Sequence, residues 1–555
     1  MSSNKLNEIW LELSLALYDN TEDLIKLKET DMNPANNNNF AIRNASEKGH
    51  LEVVNLLLKD SRVDPSADIN YAIRWASKNG HLEVVKLLLK DKRIDPCDYD
   101  NWSIGIASEN GHSEVVKLLL KDSRVNPSAD DNYAIRWASK NGHLEVVKLL
   151  LEDKRVDPSD YNNYAIEYAS ENGHLEIVKL LLDDDRVDPS SDSNHAIRRA
   201  SENGHLEIIK LLLKDKRVNP SAGDNHAIRY VSHDGHLKIV ELLLKDKRVD
   251  PSASENQAIR WASGNGHLEI VKLLLKEKRV DPSDAKNGAI RIASEYGHLK
   301  VVKLLLKDSR VDPSDANHYA IKMASENGHR EVVKLLLEDS RVDPSADDSY
   351  AIRYACKNNH IEIVKLLLQN NKVNPNANNN YAIRHACENT HIEIVKLLLK
   401  DIRVDASDND NHAIKKAISK GYLEIVKILL KDIMIDPSDD NNYAIGSACE
   451  NGHLEIVKLL LKDSRVDPND DNNYAIGAAC KNGHLEIVKL LLEDMRVDPT
   501  DNNNYSIGAA CEYGHLEVVK LLMKDGRPNP HDNKKYAIKM AKKHGNLEII
   551  KLLLN

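Results

Sequence analysis

Apolar positions in this chain follow two alternating patterns. Over residues 71–79, the small and apolar residues Ala72, Ile73, Ala76 and Ser77 fall three and four apart, which is one narrow helix face. Over 82–89, Val84, Val85, Leu87, Leu88 and Leu89 spread over a broad arc, as on a helix that touches its own partner and both neighbouring pairs. Glu83 and Lys86 stay polar as a surface pair. Between the two patterns Gly80 stands where a helix ends on a left-handed residue. After the second, Arg93-Ile94-Asp95-Pro96 stops the helix, because proline cannot continue it. An Asp- and Asn-rich loop leads to the next pair. Asn70 precedes the first helix and is predicted to cap it through its side-chain oxygen.

The same text returns every 31 residues without slippage. Gly80-His81, Gly111-His112, Gly142-His143 and Gly173-His174 set a register of 17 units ending at Gly545-Asn546, with both residues intact in 13. Asn fills the Asn70 position in 14 of the 17. Such self-similarity predicts stacked helix–turn–helix–loop units, none able to bury its apolar face alone. Stacks of this kind present surface, so the reading is an all-α binding scaffold.

Composition narrows the partners. Net charge is −10 and the pI about 6.2, which argues against a non-specific grip on nucleic acid. No apolar run approaches the ~20 residues of a membrane span, and Glu8 and Glu12 make the N-terminus a poor signal peptide. The expectation is a monomeric cytoplasmic protein that binds another protein. Cys356, Cys387, Cys449, Cys480 and Cys511 share one repeat position, where other units carry Ser77 or Ser108. Neighbouring copies about 8–10 Å apart exceed the ~7 Å limit for a disulfide, so these read as small buried residues. Cys97 lies alone in a loop.

Of 23 histidines, 15 follow the glycine position. Others, such as His195, His226 and His412, replace the aromatic at the Tyr71 position. No nucleophile–His–acid set, metal cluster or phosphate loop stands apart from the repeat, and Asp439-Asp440 lacks EF-hand spacing. Neither catalysis, metal nor cofactor is expected.

The stretch Ala-Ser-x-Asn-Gly-His-Leu-Glu-Val-Val-Lys-Leu-Leu-Leu at 76–89 resembles the second half of an ankyrin repeat, and the likeness covers nearly the whole chain. It implies an ankyrin-repeat solenoid in which the histidines hydrogen-bond neighbouring loops. Two departures stand out. Tyr71-Ala72-Ile73-Arg74 replaces the family's Thr-Pro-Leu-His, and the unit is about two residues shorter than the usual 33, which shortens the finger loops. The domain reading is a degenerate N-terminal capping unit at 1–33, the array at 34–535, and a C-terminal capping unit, the final truncated repeat, at 536–555. Within the family, the Asn-Tyr-Ala-Ile-Arg…Val-Asp-Pro-Ser unit is similar to the large ankyrin arrays of giant amoeba-infecting viruses. Poxvirus ankyrin proteins append an F-box-like module; no room for one is evident here. A ubiquitin-ligase adaptor without a recognisable F-box, and a structural or redundant protein with no specific partner, remain alternatives.

The resemblance implies binding on the concave side, formed by finger loops and first helices. The family's variable pair, Lys78-Asn79 and its equivalents, is too uniform here to offer much individuality. More telling are Arg74-Trp75, Arg136-Trp137, Tyr168, Arg198-Arg199, Arg229-Tyr230 and Arg260-Trp261, since arginine and aromatics dominate interface hot spots. Packing between helices competes with binding for these residues. Late units read Gly446-Ser447, Gly477-Ala478 and Gly508-Ala509 instead. A second series, Arg62, Arg93, Arg124 and Arg155, precedes the loop Pro by three and is expected to stabilise loops. Between Cys356 and Pro437 the pattern weakens: Asn359 and Thr390 replace Gly, Tyr422 replaces His, Ala406 replaces Pro and Lys415-Lys416 replaces Arg-x. A hinge, a specialised contact, or relaxed selection on a redundant unit would each read this way.

Overall fold

A computed structural model describes residues 35–528 and 534–554, so the expected capping unit at 1–33 lies outside the described residues. The chain divides into two compact units, residues 1–281 and 282–555. The described residues contain 34 helices and no strand. Each unit is a stack of helix pairs in which like packs on like. In the first, Ala67–Lys78 packs on Asp98–Glu109 and Leu82–Leu88 on Ser113–Leu120; in the second, Asp439–Glu450 packs on Asp470–Lys481 and Leu454–Leu461 on Leu485–Glu493. The final pair, Lys534–Lys543 and Leu547–Leu554, continues the second stack. These are the stacked helix–turn–helix–loop units that the period predicts. First helices approach one another more closely than second helices do, because Ala72, Ala76 and Ser77 present almost nothing beyond Cβ. Ile73, Val84, Val85 and Leu88 fill the space between layers.

The helix junction uses both residues of the Gly-His pair. Gly80 has φ +73°, His81 N–H donates to Ala76 O at 2.9 Å, and Leu82 N–H donates to Gly80 O at 2.9 Å. His81, at φ −76° and ψ 72°, thus centres an inverse γ-turn that launches the second helix. Glycine is required twice over here. A Cβ on Gly80 would lie 2.6 Å from the His112 ring of the next unit, whose Nε2 bonds Lys78 O at 2.8 Å. His81, His143, His174 and His205 likewise tie their units to the one before.

The finger holds the main departure from expectation. Asp68, Ile69 and Asn70 all have left-handed φ/ψ, a full left-handed turn joined to the helix proper. This turn recurs along the chain (Asp130-Asp131-Asn132, Asn378-Asn379-Asn380, Asp440-Asn441-Asn442) and accounts for the Asp/Asn richness, since these side chains tolerate left-handed backbone best after glycine. Asn70 does not cap its helix through its side chain, as the sequence suggested. Instead its Oδ1 accepts Asp95 N–H at 3.0 Å and its Nδ2 donates to Asp98 at 2.9 Å, both in the following loop. It is an inter-unit clamp.

The loop arginines do as expected. Arg93 grips Asp91 at 2.6 Å and donates to Val63 O of the preceding unit at 2.7 Å, holding the Asp91 carboxyl below its usual range. Through the irregular stretch the stack continues unbroken, with Ala346–Lys357, Ala377–Glu388 and Asp408–Ser419 packed in series. Asn359 and Thr390 keep left-handed φ of 64° and 59°. Beside Asn359 the His391 ring adapts, bonding Cys356 O through Nδ1 rather than a carbonyl 34 residues back through Nε2.

The buried serines explain the cysteines. Ser77, Ser108, Ser139 and Ser170 are fully buried, and their hydroxyls find no partner. A thiol loses less there. Burial pushes the Cys387 and Cys511 thiols up to about 12 and the other three buried thiols in the same direction. Cys97 is half-buried and also raised, by its 2.8 Å hydrogen bond to Asp95. Alkylation of the native chain at pH 8 should therefore mark Cys97 first, with Cys387 and Cys511 reacting about a thousandfold more slowly than an ordinary thiol. Mass spectrometry of timed quenches checks this; rapid labelling of a second cysteine would contradict the packing.

Candidate interaction surface

Of the first-helix arginines singled out in the sequence, all but Arg199 turn back onto their own fingers. Arg74 donates from Nε to Ile69 O at 2.6 Å and from Nη2 to Asp68 O at 2.9 Å. Arg136 reaches Asp130 O, Arg198 reaches Asp192 O, Arg229 reaches Asp224 O and Gly223 O, and Arg260 reaches Glu255 O and Ser254 O. The guanidinium fork suits this task, because the left-handed turn leaves two carbonyls side by side. These arginines are thus spoken for locally. Their outer faces meet aromatic rings of the next unit, Arg74 over Tyr99 and Trp102, and Arg136 over Tyr161 and Tyr164.

The aromatic residues gather into three groups within residues 1–281. Tyr71 and Trp75 stack at 5.2 Å, with Trp102 6.0 Å beyond Trp75. Tyr133 and Trp137 lie at 5.5 Å, while Tyr161, Tyr164 and Tyr168 meet edge to face. His226 stacks on Tyr230, which meets Trp261. Trp75, Trp137, Tyr168, Tyr230 and Trp261 are each half-buried, with one side packed and one side open. Burial holds His226 down to about 4, so it stays neutral at neutral pH and stacks as a plain ring.

Sequence reasoning undervalued the pair at Lys78-Asn79. Lys78 Nζ sits 4.0 Å from the centre of Trp75, and Lys140 Nζ sits 4.1 Å from Trp137 and 4.7 Å from Tyr168. Where this position is acidic it clamps the next unit: Tyr71 OH donates to Glu47 at 2.8 Å, and burial with that carboxylate pushes the tyrosine up to about 12. Tyr99 and Tyr161, at the finger tips, were also missed; they are 59% and 54% exposed, the most open aromatics of the groups. Their signal was positional, since each follows an arginine of the preceding unit by 25 residues.

One unit inverts the scheme. Glu167 occupies the arginine position and is nearly buried, facing His195 Nδ1 at 2.9 Å, which Asp192 also meets at 2.9 Å. These three side chains could converge on a cation. However, Arg199 Nε–H donates to His195 Nε2 at 2.7 Å, so the imidazole carries its proton on Nδ1, between the two carboxylates. The proton holds the place a metal would take. Burial raises Glu167 above the usual carboxylate range. Arg199 also pairs with Glu202 at 2.8 Å, which fixes it in the wall of a cleft of about 370 Å³ with Tyr161, Tyr164 and Tyr168.

Among the described residues no helix is long and apolar enough to cross a membrane. The family pattern described as ankyrin repeats (3 copies) matches in successive windows, from residues 13–100, 104–193 and 197–286 through to 445–533. A search of curated proteins found no match. With matched windows running over nearly the whole length and the helix pairs stacked in the same register, the chain belongs to the ankyrin-repeat family.

Proposed function

We propose that this chain is a non-catalytic scaffold that binds a host protein along the first-helix face of residues 71–261, as a monomer in the cytoplasm of an amoebal cell infected by the virus that encodes it. Ankyrin repeats are generally protein–protein interaction modules and typically not enzymes. The likeness of the 31-residue unit to the arrays of giant amoeba-infecting viruses supports the source and hence the host partner. The observation that carries the binding reading is the set of three half-open aromatic groups, two of them flanked by fixed cations. Rings already held by stacking lose little freedom when covered, which favours affinity. The acidic balance supports a protein rather than a nucleic acid partner.

The test uses aromatic rather than arginine variants, because the arginines hold the fingers. Tyr99→Ser, Tyr161→Ser and Trp137→Ala are combined in the full chain, with circular dichroism and melting required to match the wild type. A partner captured from host lysate by the wild type should bind the variant about thirtyfold more weakly, the loss of one strong hot spot. Unchanged binding would place the site elsewhere, the 356–436 stretch being next. Recovery of cullin-type machinery would favour the ligase-adaptor reading, and no partner at all the structural one.

A further inference from the structure

The arginine position of the first helix displays what its surroundings are built to hold. Arg43 donates to Asn38 O at 2.9 Å, pairs with Asp68 of the next unit at 2.6 Å and lies 5.1 Å from the Tyr71 ring. Arg291 repeats the scheme with Ala285 O, Lys286 O and the Tyr319 ring. Lysine uses the outer half of it: Lys322 meets Asp347 at 3.0 Å and Tyr350 at 5.4 Å, and Lys415 meets Asp440 at 3.2 Å and Tyr443 at 5.7 Å. The socket draws on four positions. Two are the backbone carbonyls five and six residues earlier, and two are the side chains 25 and 28 residues later. Arg43 uses a carbonyl, the carboxylate and the ring, whereas Arg291, with Ala316 in the carboxylate position, uses both carbonyls and the ring.

At Gly105 and Gly446 the position carries no side chain, and a cavity opens at each. The first, about 250 Å³, is lined by Tyr99, Asp100, Asp130 and Tyr133, with Trp102 beside them. The second, about 200 Å³, is lined by Asp440, Asn441, Asp471 and Tyr474. In both, the lining residues stand six and five before the glycine and 25 and 28 after it, the same four positions that hold a guanidinium elsewhere. The tyrosine leans toward the glycine, its ring 3.1 Å from a Cβ built at Gly105 and 2.8 Å at Gly446, and forms one wall. At Gly477 the residue 25 later is Asn502, so the carboxylate is missing and no site is assigned.

We propose that the cavities at Gly105 and Gly446 each accept the guanidinium of an arginine side chain supplied by a partner protein, completing the socket the chain fills itself in its arginine units. Guanidinium fits better than ammonium because paired carbonyls and a flat ring match its fork and its plane. Neighbouring charge does not forbid it. Arg74 lies over Tyr99 and Trp102, and Arg136 donates to Asp130 O. Arg198, Arg229 and Arg260 already stand at the same one-unit spacing. At Gly446, Asp471 offers a carboxylate apart from Asp440, which Lys415 holds. The inference deepens the protein-binding reading and rests on it only for the source of the arginine.

The test needs no partner. Full-length chain labelled with fluorotryptophan is titrated with N-acetylarginine amide and, in parallel, with the uncharged N-acetylcitrulline amide. The Trp102 fluorine resonance, assigned from Trp102→Phe, should shift saturably with the arginine compound and respond at least about tenfold more weakly to citrulline. Gly105→Arg supplies the guanidinium internally and should abolish the shift, whereas Gly446→Arg should leave it intact. Asp130→Asn, which keeps both backbone carbonyls, should weaken it. Saturation transfer to the ligand should persist in Gly105→Arg and vanish when Gly446→Arg is added. No saturable shift, equal response to citrulline, or transfer surviving in the double variant would overturn the proposal. A protein partner lost from the aromatic variants would still stand on its own.

Discussion

Replacing Gly142 by threonine is expected to destabilise its neighbourhood by about 4 kcal/mol. Two costs combine. Gly142 has φ +82°, where a β-branched residue carries roughly 1–2 kcal/mol or more of backbone strain. A Cβ there would also lie 2.6 Å from the His174 ring, which would have to leave its 2.9 Å bond to Lys140 O, at about 1–3 kcal/mol. Gly142→Asn should cost only about 1 kcal/mol, because Asn tolerates the conformation and the Asn359–His391 pair shows how the ring can turn onto another carbonyl. Gly142→Ala falls between. Because a long array does not unfold as one two-state body, the measurement is native-state hydrogen exchange of the amides on both sides of the junction. Equal losses for Asn and Thr would mean that neither backbone conformation nor the histidine contact governs the junction. Applied in reverse, Thr390→Gly should stabilise the irregular stretch.

That stretch shows how far periodicity can be trusted. The 31-residue register located every junction, and the second helices were legible from Val-Val-Lys-Leu-Leu-Leu alone, since only one arc of a helix buries those residues. Periodicity marks a position as special without saying what it touches. Asn70 and Arg74 were both visible, yet Asn70 bonds forward into the next loop and Arg74 bonds backward into its own finger. A left-handed turn of three residues is not a pattern that hydrophobic spacing reports. Once the turn is known, the Asn-rich finger and the arginine that serves its carbonyls become one device.

The candidate surface was legible in the same partial way. Trp75, Trp137 and Trp261 were found because each stands beside an arginine, and arginine and aromatics dominate interface hot spots. Tyr99 and Tyr161 were passed over because they lie in loop text, although the fingers bring them against the arginines of the preceding unit. The glycines at 105 and 446 looked like plain substitutions. Their meaning is relational, since a missing side chain matters only where its neighbours keep the arrangement that would receive it.

The clamp formed by the finger asparagine yields the second large effect. Asn132 is 3% exposed, has φ 58°, accepts Asp157 N–H at 2.9 Å and donates to Asp160 at 2.9 Å. Asn132→Ala should cost about 3 kcal/mol, from roughly 1–2 of left-handed strain and about 1–3 for an orphaned buried amide. Asn132→Gly removes the strain but not the orphan, so it should recover only about 1 kcal/mol of that loss. Asn132→Asp keeps the acceptor but sets a second carboxylate against Asp160. The new acid would then have a raised pKa in the folded state, so stability should be lowest at neutral pH and return as pH falls into the carboxylate range. The chain has tried the acceptor alone: at the two equivalent positions held by His318 and Ser349, the ring Nδ1 and the hydroxyl take the Asp343 and Asn374 amides at 3.0 and 2.9 Å. What the position selects is therefore an acceptor on left-handed backbone, reaching into the next unit, and not a helix cap. If Asn132→Gly were as stable as the wild type in exchange measurements of the Asp157 amide, the clamp would be incidental and the backbone conformation alone would explain the asparagine.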